Sequence, residues 1–172
     1  MINNGWEVCI VKTDCKIVIF SLIVFWLFST ILSVVPALAE SKPMLSTGQT
    51  VYVPVYSHVF HGDREQPYYL TTTLSVRNID PSHGIKISSV EYFDNAGKLL
   101  KRYVEKPIEL GTLASTHYSI KESDKSGGFG ANFIVRWQAT KMVNEPVIQC
   151  VMVTTRGQQG ISFITEGRVI KE

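Results

Sequence analysis

Residues 132–139 read Asn132-Phe133-Ile134-Val135-Arg136-Trp137-Gln138-Ala139. Side chains on a strand point alternately to opposite faces, so Phe133, Val135, Trp137 and Ala139 form one row and Ile134, Arg136 and Gln138 the other. The first row is apolar throughout, and the second carries a charge and an amide. That is the signature of a strand with one face in a core. The same alternation recurs upstream, where Leu70, Leu74 and Val76 oppose Tyr69, Thr71, Thr73, Ser75 and Arg77. Outside an N-terminal apolar run, no window of useful length repeats apolar residues at helical spacing. The expected class is all-β.

Working outward, strands are expected at about Thr50–Tyr56, Tyr68–Asn78, Ile85–Phe93, Leu99–Val104, His117–Lys121, Asn132–Ala139, Val147–Thr155 and Ile161–Ile170. Residues 107–114 leave room for a further short one. Turn signals separate these runs every ~8–12 residues, and the expected architecture is an antiparallel β-sandwich, immunoglobulin-like in general form, of about 7–9 strands. Val147–Val153 is apolar on both faces, which predicts a central strand covered on both sides. Asp94-Asn95-Ala96-Gly97 reads as a tight hairpin turn in which Gly97 takes φ > 0. Asn78–Gly84 reads as a loop, Lys125–Gly130 as a flexible loop, and Arg156–Gly160 as a turn between the last two strands.

The N-terminal run has a different meaning. Lys12 and Lys16 precede the apolar stretch Ile17–Val35, Pro36 stops any helix there, and Ala37-Leu38-Ala39 supplies a small-x-small cleavage pattern before Glu40. Residues 1–39 are therefore expected to be a signal peptide cut between Ala39 and Glu40. The run exceeds the usual ~7–15 residues of a signal core and reaches the ~17–25 that span a bilayer, so an uncleaved anchor at residues 17–35 is the alternative. On either reading the domain is exported, periplasmic or secreted, because the lysine flank stays inside. Residues 40–47 read as a short tether and 48–172 as a single domain of ordinary size.

Composition narrows the chemistry. The formal net charge is +2 with no clustered basic face, so nucleic acid is not an expected partner. Membrane contact is expected only through the N-terminal segment, if it is retained. Cys9 and Cys15 fall in that segment and precede the apolar run, where no lipobox can form. Cys150 alone remains, so the exported domain has no internal disulfide and must be held by its core. Its place within Val147–Val153 makes it a buried small hydrophobe.

Three features qualify as candidate sites. His58, His61 and Asp63 are metal-ligand types around a turn at Gly62, although residues three apart on a strand face opposite sides. With Arg64 they are also the candidate ligand- or partner-binding residues; the plainer reading is a solvated loop. Gly127-Gly128-Phe129-Gly130 resembles a phosphate cradle in composition, but a strand rather than a helix follows it. No Gly-x-Ser-x-Gly elbow is present, so no catalytic residue is nominated and no cofactor is implied. Tyr52, Tyr56, Phe60, Tyr68 and Tyr69 crowd the first strands, and aromatic side chains are enriched at binding surfaces.

The segments Gly48–His58, His61-Gly62-Asp63-Arg64, Leu74-Ser75-Val76-Arg77-Asn78, Gly130–Trp137 and Gln158-Gln159-Gly160-Ile161-Ser162-Phe163 together resemble a bacterial exported family, domain of unknown function 3124. The likeness runs from about Gly48 to Ile170. It implies a bacterial envelope protein of one domain, and no activity. The expected function is a non-catalytic binding or structural module for an envelope protein, glycan or small ligand, with contacts carried by Ser57–Pro67 and Glu122–Gly130. The alternative is a metal-binding protein or metal-dependent enzyme built on His58, His61 and Asp63, and a lesser one is pairing through an edge strand.

Overall fold

In the computed structural model, residues 44–155 and 160–170 are described. The export segment, its Ala39–Glu40 junction and most of the Arg156–Gly160 turn lie outside them. Runs of β-branched and aromatic residues with a period of two become twelve strands among the described residues: β1 Leu45–Val55, β2 His58–His61, β3 Gln66–Tyr69, β4 Thr71–Arg77, β5 Ile85–Phe93, β6 Leu99–Val104, β7 Ile108–Leu110, β8 Ser115–Ile120, β9 Ala131–Asn144, β10 Val147–Thr154, β11 Ile161–Glu166 and β12 Arg168–Ile170. A six-stranded sheet has the order β12-β1-β9-β5-β6 with β7 also on β5, a second sheet has the order β11-β10-β4-β8, and β2-β3 stands apart as a hairpin. Every pairing is antiparallel.

The apolar faces of the two larger sheets share one core. Val51, Val53, Phe133, Val135, Ile87 and Val90 come from the first, and Leu74, Val76, Ile148, Cys150 and Met152 from the second. The rows read from alternation fall as expected: Phe133, Val135 and Trp137 are buried, as are Leu70, Leu74 and Val76. The sides of the sandwich are bridged by side chains. The Tyr103 hydroxyl donates to the Ser119 carbonyl at 3.2 Å, and Thr165 Oγ1 donates to the Pro54 carbonyl at 2.6 Å. Cys150 is fully buried and unpaired, and burial pushes its thiol well above the ordinary range.

The strand count exceeds the expected 7–9 because two expected strands are each divided and β2 forms where a loop was expected. Tyr68–Asn78 breaks at Leu70, whose N–H donates to the Ser57 carbonyl at 3.0 Å, so that Tyr68 and Tyr69 pair with β2 instead of entering the sheet. Ile161–Ile170 breaks at Gly167, where the chain passes from one sheet to the other. A Cβ at Gly167 would sit 2.5 Å from Val51 Cγ1 and 2.9 Å from the Ile148 carbonyl, so only glycine fits that corner. β1 also starts at Leu45, within the residues read as a tether, because Leu45 and Ser46 pair with Asn144 and Val143. Finally, β10 is central in its sheet but covered on one side only. Ile148, Cys150 and Met152 are buried, whereas Val153 on the other face is 40% exposed.

Loops gather at two opposite ends. β1 runs between them over 11 residues, which span ~36 Å at the usual strand rise. At the end where β1 begins, Asp80 fastens its own loop to the end of β9. Its Oδ1 accepts the N–H groups of Ser82 and His83 at 2.9 and 2.8 Å, and its Oδ2 accepts the Asn144 N–H at 3.0 Å. Asn78 completes the knot, donating from Nδ2 to the carbonyls of His83 and Gly111, both at 2.8 Å.

These donors, the Asn144 N–H foremost and then that of Ser82, hold the Asp80 carboxyl down at about 2, against an ordinary 3.8. A depressed carboxylate pKa adds stability that is complete above the unfolded value and lost as pH falls through the folded one. Stability should therefore fall between about pH 4 and pH 2 in the native sequence. Asp80→Asn should lower stability at neutral pH and flatten that acid limb, as denaturant melts across the interval will show.

Candidate functional site

The end where β1 finishes is built from three segments. β1 gives way to Tyr56 and Ser57, and the chain turns back as the β2–β3 hairpin with His58 opposite Tyr69, Val59 opposite Tyr68, Phe60 opposite Pro67 and His61 opposite Gln66. Gly62 and Glu65 take positive φ of 67° and 49° in its turn, where the Glu65 N–H donates to the Gly62 carbonyl at 3.1 Å. The segment expected to be a solvated loop is thus a hairpin whose tip alone is irregular.

The Glu122–Gly130 segment packs against this hairpin and is tied down on both sides. The Gly128 carbonyl accepts the Ser57 N–H at 3.2 Å, and the Gly127 carbonyl accepts the Asn95 N–H at 3.1 Å. Asp124 folds the loop on itself by accepting from the Ser126 N–H and hydroxyl. The glycines expected to confer flexibility instead permit close approach. A Cβ at Gly127 would overlap the Tyr92 hydroxyl and approach the Ala131 Cβ, and Gly128 adopts φ 74°. Tyr92 itself is buried, with its hydroxyl 3.4 Å from Ser57 Oγ, and burial raises its pKa.

This close packing brings rings from both segments together. Phe129 is stacked on Phe60 at 5.6 Å and meets Tyr56 edge-on at 5.1 Å. His58 is edge-on to Phe60 at 4.9 Å and to Tyr69 at 5.9 Å, and lies 6.1 Å from Phe129. Phe163 of β11 reaches Tyr56 at 5.8 Å, and the Lys125 ammonium sits 4.2 Å above the Tyr69 ring. Phe60 is 50% and Phe129 47% exposed, so the centre of the cluster faces solvent. Two large aromatics held together and half exposed are unusual on a domain that is otherwise apolar inside.

The structure separates the residues nominated as metal ligands. His58 turns to the Phe60–Phe129 side of the hairpin, and His61 to the opposite side, where its ring meets Tyr68 at 5.4 Å and its Nδ1 bonds the Gln66 carbonyl at 2.8 Å. Asp63 and Arg64 are exposed in the turn. Among the described residues no group of three His, Cys, Asp or Glu side chains converges to hold a metal ion. The glycine stretch leads into β9 with no helix to cradle a phosphate. Of the aromatic residues singled out, Tyr52 points elsewhere, on the outer face beside Ile134, and Tyr68 lies on the His61 side of the hairpin.

The two segments expected to carry contacts, Ser57–Pro67 and Glu122–Gly130, do meet. Phe163 is the member that sequence reasoning missed, and Phe129 and Lys125 fell within the expected Glu122–Gly130 segment without being singled out. A lone phenylalanine between two glycines in an otherwise polar loop was the available signal for Phe129; nothing local marks the other two. Elsewhere, on the outer face of the six-stranded sheet, Glu91 accepts from Arg102 Nε at 3.0 Å and Arg136 Nη1 at 2.9 Å, so its charge is spent on structure.

The fold and this end define a disulfide-free all-β sandwich with an aromatic loop surface. The chain belongs to the family described as "Protein of unknown function (DUF3124)", whose model matches residues 48–170. No curated protein matches it. Among solved structures, the crystal structure of Thermotoga maritima 1070 is similar with a TM-score of 0.43 and 12% identity, covering 70% of this chain and 92% of that one. That likeness is too weak to bear on fold or function.

The surface depends on Gly127. Gly127→Ala should displace either the Tyr92 ring or the loop and lower stability by about 1–3 kcal/mol, the usual effect of overpacking. Denaturant unfolding measures the loss, and near-ultraviolet circular dichroism should report altered packing of the rings.

Proposed function

We propose that this domain is a non-catalytic binding module of the bacterial cell envelope, and that its partner is a protein held at the aromatic end. The observation that carries the reading is the half-exposed Phe60–Phe129 stack, contributed by two segments that the Ser57–Gly128 hydrogen bond holds in register. A surface already ordered before contact loses little freedom on binding, which favours affinity. Asp63, Arg64, Glu65 and Lys125 lie exposed around these rings, giving an apolar centre with a mixed-charge rim, the usual anatomy of a protein interface.

A glycan is the less favoured ligand, because it needs outward hydrogen-bonding groups beside the rings. Asp124 is turned onto its own loop and His61 onto the Gln66 carbonyl. The metal alternative on His58, His61 and Asp63 has no converging ligand set behind it.

A photo-crosslinking residue placed at Phe60 or Phe129 in cells that make the protein tests the reading. Both positions should yield an adduct with the same protein, while Ile164, exposed on the outer face of β11, should yield none. Against that partner, Phe60→Ala combined with Phe129→Ala should weaken affinity by about 2 kcal/mol or more, as for central aromatic anchors. Equal labelling at Ile164, or unaltered affinity in the double variant, would overturn the proposal.

A further inference from the structure

The opposite end of the sandwich is also apolar, in a different way. Met44, Leu45, Ile79, Leu113 and Met142 are all exposed there, Met44 and Leu113 by 68% and 67%. They come from separate segments that hydrogen bonds gather. The Glu145 N–H donates to the Met44 carbonyl at 3.1 Å, the Leu113 N–H to the Asp80 carbonyl at 3.3 Å, and Asp80 in turn holds Asn144. Leu113 departs furthest from ordinary practice. Its φ is 55°, a left-handed conformation that favours glycine, and yet a large apolar side chain stands there in water.

We propose that this end rests on a lipid surface, with these aliphatic side chains entering the interfacial region of a bilayer. Flexible aliphatic groups contributed by several separate segments suit a fluid apolar phase better than a shaped protein partner. Lys141 and Arg77 are exposed at the same end as the carboxylates of Asp80 and Glu145, so neither sign of charge predominates and the aliphatic side chains carry the contact. On the reading in which residues 17–35 stay as an anchor, the length of chain before the domain points the same way. Residues 36–43 separate the apolar run ending at Val35 from Met44, and fully extended they reach only ~30 Å. The sequence alone led us to expect membrane contact through the N-terminal segment only; this surface would be a second one.

The buried Cys150 makes a clean test possible. The full chain with Cys9→Ser and Cys15→Ser takes a polarity-sensitive fluorophore at Leu113→Cys or, separately, at Phe60→Cys. It is reconstituted into vesicles of phosphatidylethanolamine and phosphatidylglycerol. The probe at 113 should shift to the blue and be quenched by brominated acyl chains, while the probe at 60 keeps its water-like emission. Adding Ile79→Asp and Met142→Asp should reverse the shift at 113; should that variant misfold, the contrast between 113 and 60 decides alone. Water-like emission at both positions overturns the proposal. So does a blue shift at 113 that grows with protein density and ignores brominated lipid, because a second copy of the chain would then cover this end.

Discussion

β9 pairs with β1 along one edge and β5 along the other, and both pairings present their apolar rows to the same side. Phe133, Val135 and Trp137 must then be covered from that side, together with Val51, Val53, Ile87 and Val90. Only a second sheet with its own apolar face can do this across so broad a surface, and β4 and β10 supply it. Once that pairing of faces is set, little else in the architecture is free. The chain must change sheets repeatedly, and one of the crossings is at Gly167, where a side chain would collide with Val51. Most of the described loops lie at the two ends of the strands, because the faces are taken by the core or held flat by the pleat.

The aromatic end is consequently an extension of the core rather than a loose appendage. Tyr92 packs on Phe133 at 5.2 Å inside the sandwich, and its hydroxyl lies against Ser57 at the root of the hairpin. The same ring leaves room for Gly127 and for nothing larger. From Gly127 the chain continues through Gly128, bonded to Ser57, to Phe129 in the ring cluster. A change deep in the sheet can thus reach the exposed rings through three residues, a physical route from packing to surface.

How much of this was legible in the sequence depends on the range of the interaction. Alternation is a local property, so the all-β class and the inward rows of β4 and β9 could be read directly, as could the divergence of His58 and His61. The burial of Cys150 followed from its apolar neighbours. Periodicity could not reveal that Val147–Val153 lies in a sheet with one open face, because a strand apolar on both sides reads the same whether or not its second face is covered. Nor could it show where a strand leaves one sheet for another. The break at Leu70 is made by the Ser57 carbonyl, and the corner at Gly167 by Val51, both distant in sequence. The ring cluster lay beyond reach for the same reason, since Phe60 and Phe129 meet only after the sheets have formed.

Local rules are broken at few places, and those places are at the ends. Among the described residues, Glu65 and Leu113 are the non-glycine residues with φ in the left-handed region, one in the aromatic hairpin and one at the opposite end. Phe60 and Phe129 at one end and Leu113 and Met44 at the other are exposed in the same two zones, while Ile164 and Val169 are exposed singly on strands between them. A domain stabilised by its core alone, with its described cysteine buried and unpaired, has no covalent reserve against such features. Conflicts between local preference and global fold are expected where a surface serves something other than folding. The two left-handed residues lie at the poles, and at each pole exposed apolar side chains from separate segments are gathered by hydrogen bonds, unlike the single exposed side chains on the strands between.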